Sequence, residues 1–264
     1  MIFENGKRNF IIVFIGGMSM ASLQEDAELL QSLIDSSHNI VFFGGAGVST
    51  ESGIPDFRSK DGLYHQKYKY DPEEIISHHF FYQNTKEFYR FYKDRMIDLN
   101  AKPNAAHKYL AELEKAGRLK YIITQNIDGL HQMAGSKKVI EVHGSVHRNY
   151  CQDCEEEYDA RYIKECEEEV PHCPNCGGLI KPDVVLYEEP LNEGDITRAL
   201  GQIMSAEILI VAGTSLVVYP AAGFINYFKG KHLVLINKDP SAADSRADVV
   251  IHQKVGELFS LLHV

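Results

Sequence analysis

The sequence predicts an α/β protein in which helices cover both faces of a parallel sheet and a small module interrupts the sheet domain. Two patterns favour this class: short apolar runs alternate with helix-like stretches, and one cysteine-rich segment breaks the alternation. At 264 residues the chain suits one large domain with an insertion. Its 44% apolar and 24% charged residues are typical of a globular protein, which excludes the disordered and fibrous classes.

The balance of charge limits the class of partner. The formal net charge of −10 argues against sequence-independent binding of nucleic acid, which requires clustered Lys and Arg. The same charge suits a cationic partner, such as a lysine-rich protein segment. No stretch approaches the roughly 18 apolar residues that span a bilayer, so no membrane partner is expected.

Residues 1–20 are expected to form an N-terminal extension outside the fold. A basic pair followed by the apolar run Phe10 to Ile15 weakly resembles a secretory signal. The run is short, and the rest of the chain is typical of an intracellular enzyme with paired thiols. We therefore expect a cytoplasmic protein whose fold begins near Met18 or Met20.

The first helix is predicted to follow Ser22, because Leu23, Ala27, Leu30 and Ile34 recur at helical spacing. Short apolar runs rich in β-branched residues predict six buried strands: Ile40 to Phe43, Tyr121 to Thr124, Val139 to Val142, Ile208 to Ala212, Leu233 to Ile236 and Val249 to Ile251. Helix-like stretches between them include Ala105 to Ala116 and Ala221 to Phe228.

Two segments depart from this alternation. Residues 144–187 are rich in Glu, Cys and Pro and lack a long buried strand, so we expect an inserted small module there. Residues 61–100 carry many aromatic and charged side chains without a clear strand, and we expect a helical segment that covers a cleft. The large domain is accordingly assigned to residues 21–143 and 188–264.

Four of the five cysteines form two close pairs, Cys151-x2-Cys154 and Cys173-x2-Cys176, with 18 residues between the pairs. Two such pairs complete a tetrahedral thiolate site, which Zn²⁺ prefers, and four protein ligands leave no open position for catalysis. The spacing therefore predicts one structural zinc. Two disulfides are the alternative, which a reducing compartment disfavours. Cys166 is expected to be an ordinary residue of the intervening segment.

A glycine-rich turn, Gly44 to Thr50, directly follows the first predicted strand. Such a turn lets the backbone approach a pyrophosphate, whose charge then meets the N-terminus of the following helix. The third position of the usual dinucleotide fingerprint is not Gly, and no acidic residue sits at a ribose-binding distance. On these residues alone, a tight turn without a ligand remains an alternative.

Residues 46–58, Ala-Gly-Val-Ser-Thr-Glu-Ser-Gly-Ile-Pro-Asp-Phe-Arg, resemble the signature of the sirtuin family of NAD-dependent protein deacylases. Further blocks follow in the family's order: residues 124–131, 141–145, the four cysteines, 181–185, 213–218 and 236–238. The resemblance spans residues 22–262, and seven ordered blocks are far more specific than one motif. It implies a Rossmann-like domain joined to a small zinc-binding module, with NAD and an acyl-lysine meeting in the cleft between them.

The resemblance also implies which residues contact NAD. It assigns the dinucleotide turn to Ala46, Gly47 and Thr50. It assigns the loop over the ribose and nicotinamide to Ile54, Asp56, Phe57 and Arg58. It assigns the wall of that pocket to Gln125, Asn126, Ile127 and Asp128, although the residue types alone would also allow Asn126 and Asp128 to cap a turn. It assigns the remaining contacts to Gly213, Thr214, Ser215, Asn237 and, near the adenine, Val255.

By the same resemblance, His143 is the catalytic base, acting together with Asn126 and Asp128. The acyl oxygen attacks the nicotinamide ribose and expels nicotinamide, and His143 then takes a proton from a ribose hydroxyl. Lysine, nicotinamide and O-acyl-ADP-ribose are the products. An imidazole suits this task because its ordinary pKa lies near neutrality. Three other histidines are expected to be structural: His107, His131 and His147.

The substrate is expected to be an acylated lysine in a protein or peptide. The family's substrate-pairing segment matches Val184, Val185 and Leu186, which would receive the substrate as an added strand. Sirtuins that favour succinyl or malonyl groups carry a Tyr-x-x-Arg pair on the cleft-covering helix. Here Tyr89 is followed by Tyr92 in place of the Arg, and a phenol cannot bind a carboxylate in the bidentate manner of a guanidinium.

Neutral acyl groups, acetyl first of all, are therefore expected, because Arg90 and Arg95 lie at other helical phases. Restoring the pair through Tyr92→Arg is expected to admit acidic acyl groups. Three other functions remain as alternatives. They are a protein mono-ADP-ribosyltransferase, a non-catalytic zinc- and NAD-binding interaction module, and a hydride-transferring dehydrogenase.

Overall fold

The structure, a computed structural model, describes residues 22–56, Gly62 and residues 68–264. The N-terminal extension predicted for residues 1–20 lies outside the described residues. So do Phe57 and Arg58, two of the predicted NAD contacts.

The described part of the chain contains nine strands and nine α-helices. The strands are β1 (Ile40–Gly44), β2 (Leu119–Thr124), β3 (Val139–Glu141), β4 (Gly144–Cys151), β5 (Glu157–Tyr158), β6 (Ile180–Val184), β7 (Ile208–Ala212), β8 (His232–Ile236) and β9 (Val249–Ile251). The α-helices are α1 (Leu23–Asp35), α2 (Pro72–Ile75), α3 (His78–Gln83), α4 (Thr85–Phe91), α5 (Ala105–Lys115), α6 (Leu130–Met133), α7 (Ala160–Glu165), α8 (Glu193–Ser205) and α9 (Val255–Phe259).

Six strands form one parallel sheet in the order β3-β2-β1-β7-β8-β9. All six coincide with strands predicted from apolar runs, and the α/β class is confirmed. The apolar runs predict these strands well because both faces of the sheet are covered, so the central strands β1 and β7 are buried on both faces. Ile40 and Phe42 belong to the hydrophobic cluster shared with α1, α5 and α9. Val41 and Phe43 belong to the cluster shared with α8 and the segment Ala221–Tyr227.

Local capping fixes where the first helix begins. The Ser22 hydroxyl accepts the N–H of Glu25 at 3.2 Å, and the Glu25 carboxylate accepts the N–H of Ser22 at 2.7 Å. This reciprocal pair satisfies two backbone donors that the helix itself leaves open. The predicted helix Ala221 to Phe228 is a 3-10 helix, Ala221–Tyr227. Within the described residues, no helix combines the length and the apolar character needed to cross a membrane.

The strand order reverses at β1, which has β2 on one side and β7 on the other. In parallel α/β sheets such a reversal marks a crevice beside the carboxyl ends of the strands, where ligands bind. The segments that follow β1, β2, β7 and β8 all lie at this edge of the sheet.

The inserted segment forms a second, antiparallel sheet in the order β5-β4-β6. Its strand β4 is eight residues long, which corrects the expectation that residues 144–187 lack a long strand. The apolar pattern fails here because a polar residue is buried. Asn149 is fully buried, and its side-chain amide donates to the carbonyls of Val146 and Tyr158, both at 3.1 Å.

The described part of residues 61–100 is helical, as predicted, and comprises α2, α3, α4 and the π-helical turn Tyr92–Met96. Its aromatic side chains share one hydrophobic cluster with residues of the inserted module, including Ile163 and Ile180. The helical segment and the module therefore pack together on one core. The exact division of the chain at residues 143–144 and 187–188 stays a prediction.

Candidate active site

The turn after β1 is the first part of the candidate site. After Gly44 the chain continues through two short 3-10 turns, Ala46–Val48 and Thr50–Ser52. This corrects the expectation that a helix begins directly after the glycines. Gly53 adopts a left-handed conformation (φ 88°) at the end of the second turn, and Pro55 follows two residues later, so that a helix cannot continue.

The glycines of this turn allow it to contact the loop after β7. The N–H of Gly47 donates to the carbonyl of Gly213 at 2.8 Å. A Cβ atom on Gly45 would lie 2.7 Å from Cβ of Thr214, and one on Gly47 would lie 2.7 Å from Cα of Gly213. Side chains at these positions would push the two loops apart. Loop packing alone therefore explains these glycines, and binding of a pyrophosphate needs other support.

A hydrogen-bonded group forms at the end of β2. Asn126 is 8% exposed, and its side-chain amide donates to Oγ of Ser49 at 3.1 Å. That hydroxyl donates to Oδ2 of Asp128 at 2.6 Å. Oδ1 of Asp128 accepts the N–H of Leu130 at 2.9 Å. Asp128 therefore has the turn-capping role considered as an alternative, and also a link through Ser49 to Asn126 that a cap alone does not require.

Sequence reasoning missed Ser49, although it lies in the matched motif at residues 46–58. Ser49 is 1% exposed, and its hydroxyl lies 3.5 Å from Nε2 of the fully buried His107. Nδ1 of His107 lies 3.1 Å from Oδ1 of Asn104, at the start of α5. Burial lowers the pKa of His107 to about 4, against the opposing effect of Asp128. A neutral imidazole therefore faces Ser49 at neutral pH.

Two further histidines, His131 and His147, lie near this group. The ring of His131 is 1% exposed, and its centroid lies 4.7 Å from that of His107. Burial, and then the neighbouring His107, lower the pKa of His131 well below its ordinary value. Nε2 of His147 lies 2.9 Å from the carbonyl oxygen of Asp128 and therefore donates to it. These contacts suit the structural roles expected for the three histidines.

His143 lies between β3 and β4, where the chain leaves the parallel sheet. Its Nδ1 lies 3.0 Å from the carbonyl oxygen of Gln125. A carbonyl can only accept, so Nδ1 carries the proton and Nε2 is left as the acceptor. Burial lowers the pKa of His143, and the hydrogen bond to Gln125 opposes that effect. The side chain is therefore a neutral base at neutral pH.

The predicted substrate segment is hydrogen-bonded to the backbone of this histidine. The N–H of Val185 donates to the carbonyl of His143 at 3.0 Å, and Gly144 pairs with Val184 in the ladder of β4 and β6. Gly144 has a φ of 74°, and a Cβ there would lie 1.8 Å from the carbonyl oxygen of Asp183, so only glycine fits. β6 is a terminal strand of its sheet, which suits strand addition.

Thr214, a predicted NAD contact that follows β7, is hydrogen-bonded to two other predicted NAD contacts. Nε2 of Gln125 donates to its hydroxyl at 3.1 Å. Oδ1 of Asn237 accepts the N–H of Thr214 at 2.9 Å, and Nδ2 of Asn237 donates to the Thr214 carbonyl at 3.0 Å. The ends of β2, β7 and β8 are therefore joined by side chains, which fixes the floor of the crevice.

The other predicted NAD contacts differ in exposure. Thr50 and Ser215 are exposed, and the Thr50 hydroxyl donates to the carbonyl of Gly47 at 3.1 Å. Val255, at the start of α9, is 3% exposed and packs in the core. Its predicted contact with adenine stays a prediction. The remaining described residues of the set are partly exposed: Ala46, Ile54, Asp56 and Ile127.

The residues expected to set acyl preference are buried or already paired. Tyr89 is fully buried, and its hydroxyl donates to the carbonyl of Ile180. Tyr92 is 1% exposed and stacks on Phe88, with centroids 5.4 Å apart. Burial, and then Tyr89 and Asp183, raise the pKa of Tyr92 well above its ordinary value.

The two nearby arginines both have acidic partners. Arg90 contacts Glu87 at 2.5 Å and the hydroxyl of Tyr68 at 3.3 Å. Arg95 contacts Asp94 at 2.7 Å. Neither guanidinium is held in a buried position, since their side chains are 62% and 40% exposed. Neither therefore offers a buried, bidentate partner for an acidic acyl group.

The four predicted metal ligands come together. The sulfur atoms of Cys151, Cys154, Cys173 and Cys176 all lie within 4.8 Å of one another. All five cysteines of the chain are free thiols, so the predicted alternative of two disulfides is absent. Neighbouring sulfurs are 3.4 to 3.6 Å apart. Four Zn–S bonds of about 2.3 Å in a tetrahedron place sulfurs about 3.8 Å apart, so the cluster fits zinc.

The two cysteine pairs adopt equivalent turns. The N–H of Glu155 donates to the carbonyl of Cys151 at 3.1 Å, and the N–H of Gly177 donates to the carbonyl of Cys173 at 2.8 Å. Glu155 and Gly177 occupy matching left-handed positions, with φ values of 62° and 78°. Each pair therefore presents its two sulfurs through the same local geometry.

Comparison with known proteins identifies relatives over most of the chain. The model of the Sir2 family matches residues 45–220. An NAD-dependent protein deacetylase of Clostridium tetani is 59% identical over 231 residues, which are 87% of this chain and 94% of that protein. One of Staphylococcus aureus is 45% identical over 232 residues, which are 87% of this chain and 95% of that protein.

Solved structures show the same likeness. A Sir2 complex with a deacetylated peptide and 3′-O-acetyl ADP ribose has a TM-score of 0.81 at 41% identity, covering 89% of this chain and 96% of that one. A Sir2 protein bound to an acetylated peptide has a TM-score of 0.79 at 40% identity, covering 88% of this chain and 94% of that one.

Proposed function

Because this chain belongs to the Sir2 family, we propose that its reaction is the NAD-dependent deacetylation of protein lysines. The reaction consumes an acyl-lysine, NAD and water and gives lysine, nicotinamide and O-acyl-ADP-ribose. One observation supports this most directly. His143 is a neutral base whose ring is oriented by Gln125 and whose backbone carbonyl is bonded to Val185 of the substrate segment.

His143 would act through Nε2. Since Nδ1 donates to the carbonyl of Gln125, the acceptor nitrogen has one defined direction. Its lowered pKa keeps the imidazole unprotonated, and a ribose hydroxyl of the bound NAD would supply the proton that it takes. The proton then sits on an imidazolium that Gln125 stabilises through the same hydrogen bond.

NAD is placed by this proposal in the crevice at the carboxyl ends of the strands, against the packed loops after β1 and β7. Asn126 and Asp128, held by Ser49, would contact the ribose and nicotinamide. The turn that carries Gly47 and the Thr214 loop would contact the phosphates and the second ribose. Direct packing of these two loops supports a preformed crevice, because the site then needs little reorganisation on binding.

The peptide would add to the edge of β6 as an extra strand. Main-chain hydrogen bonds dominate such binding, so the enzyme should tolerate many sequences around the acyl-lysine. Sir2 structures with acetylated and propionylated peptides support this partner class. The net charge of −10 also favours lysine-rich proteins over nucleic acid.

Zinc would be held by Cys151, Cys154, Cys173 and Cys176. When bound, it supplies folding energy to the module and no open coordination position for catalysis. A cytoplasmic location is part of the proposal, and the use of paired cysteines for a metal site supports it, because such sites are typical of reducing compartments. The NAD-binding and zinc-binding parts are proposed to divide the chain near residues 143–144 and 187–188.

The test is an assay of the purified protein with NAD and peptides that carry different acyl groups. Mass spectrometry should detect the deacylated peptide, free nicotinamide and O-acetyl-ADP-ribose in equal amounts. An ADP-ribosylated protein without O-acetyl-ADP-ribose would assign the chain to ADP-ribosyl transfer instead. A change in absorbance with NAD and alcohols, without deacylation, would assign it to hydride transfer.

A further inference from the structure

We propose that Arg148 is a positioning residue that holds the substrate-binding strand at a fixed distance from His143, and that it thereby sets the affinity for the acyl-peptide. This inference rests on the proposed function, because it assigns a role within the same site. Arg148 belongs to none of the motif blocks that matched the family.

Arg148 bridges two carboxylates from different sheets. Its Nη1 donates to Oε2 of Glu141 at 2.8 Å, and its Nε donates to Oδ2 of Asp183 at 2.8 Å. Glu141 is the last residue of β3 in the parallel sheet, and Asp183 lies in β6 of the small sheet. One guanidinium therefore links the two sheets of the protein.

The two carboxylates that Arg148 joins lie next to His143 and to the substrate segment, where the chain passes from one sheet to the other. Glu141 stands two residues before His143, and Asp183 directly precedes Val184 of the substrate segment. The regular pairing of β4 with β6 is interrupted between Gly144 and Asn149. Arg148 lies in this interruption, so its side chain supplies a connection between β4 and β6 where the backbone ladder does not.

The burial and geometry of the Arg148 bridge indicate that it holds its two partners in fixed positions. The Glu141 side chain is 9% exposed and the Arg148 side chain 37% exposed, so one contact is largely removed from water. A planar guanidinium binds both carboxylates in fixed directions, while a lysine ammonium has neither the fork nor the reach to do so. The bridge thereby fixes Asp183 relative to the parallel sheet, which leads into His143. Because Asp183 lies in β6 directly before Val184, the start of the substrate segment is fixed as well.

The test compares steady-state kinetics of Arg148→Met, Arg148→Lys and Asp183→Asn with wild type, using one acetylated peptide and NAD. We expect Arg148→Met to raise KM for the peptide roughly tenfold, with kcat within about threefold and KM for NAD unchanged. Arg148→Lys should recover only part of the loss. Adding Asp183→Asn to Arg148→Met should cause no further rise, because both changes break the same link.

Two further variants control for the loss of an arginine in general and for loss of folding. Arg161→Met removes an exposed arginine of the same module, which pairs with Glu165 four residues away, and should leave both KM values unchanged. If Arg148→Met fails to fold because Glu141 is left unpaired, the double variant Glu141→Gln with Arg148→Met removes the buried charge. It should show the same rise in peptide KM.

Distinct results separate failure of this inference from failure of the proposed function. An inactive wild-type enzyme would overturn the deacetylase proposal itself. An active wild type whose Arg148 variants keep the normal peptide KM, or lose affinity for NAD and peptide equally, would overturn the positioning role alone.

Discussion

Replacement of His143 by Ala should abolish net deacetylation while leaving the protein folded. Loss of a general base typically costs about 10² to 10⁴ in rate, or roughly 3 to 5 kcal/mol of transition-state stabilisation. The structural cost is smaller, since the variant loses the hydrogen bond from the His143 side chain to Gln125, which contributes about 1 kcal/mol. Thermal unfolding and zinc content should therefore stay close to wild type.

The assay is steady-state deacetylation together with exchange of labelled nicotinamide into NAD. Exchange precedes the step assigned to His143, so it should fall less than net turnover. His38→Ala is a matched control, because His38 is exposed and lies just before β1, at the opposite end of the strand from the crevice. This variant should keep full activity.

The pH profile gives a second readout of the same prediction. A base works only when unprotonated, and burial lowers the pKa of His143 from its ordinary value of 6.5. The acid limb of kcat/KM in wild type should therefore have its midpoint below pH 6.5, with full activity above it. Wild-type turnover in His143→Ala, or an unchanged acid limb in the residual activity, would refute this reasoning.

Three further predictions concern the module and acyl choice. Cys173→Ser should remove the bound metal, which is one zinc per chain by elemental analysis in wild type, and should lower the melting temperature with loss of activity. Glu155→Gly should stabilise the protein by up to about 1 kcal/mol in urea unfolding, since Glu155 has a φ of 62°, and a destabilised variant would contradict this. Acetyl peptides should exceed succinyl peptides in kcat/KM by roughly 30- to 150-fold, because a buried carboxylate without a partner costs about 2 to 3 kcal/mol in binding the transition state. A wild-type preference for succinyl would show that another cation enters the cleft.

The parallel sheet could be predicted because its physical signal is local. Strands buried on both faces contain uninterrupted apolar runs, and Ile40 to Phe43 or Ile208 to Ala212 show this without any knowledge of the fold. The four cysteines were equally predictable, since spacing alone limits which chemistry they allow. Strand β4 was missed because it buries a polar residue, Asn149, whose side chain donates to the carbonyl of Val146 in the same strand and to that of Tyr158 in β5.

The candidate site was harder to predict because its contacts are distant in sequence. Ser49 is separated by 58 residues from His107 and by 79 from Asp128, and no local pattern links them. The Arg148 bridge poses the same difficulty, since it reaches 35 residues along the chain to Asp183. Residue type indicates what a side chain can do, but only the fold determines which partner it has.

The surroundings of Tyr92, which the sequence did not reveal, change what is expected of the Tyr92→Arg variant. Its spacing from Tyr89 indicated a position where Arg would admit acidic acyl groups, but the structure encloses the ring against Phe88. An arginine there would exchange aromatic stacking for a desolvated cation, with Asp183 as the nearby negative charge. Tyr92→Arg should therefore lose stability as well as change acyl preference. A narrowed acetyl-to-succinyl ratio has meaning only if succinyl turnover rises in absolute terms, since loss of folded protein lowers both rates together.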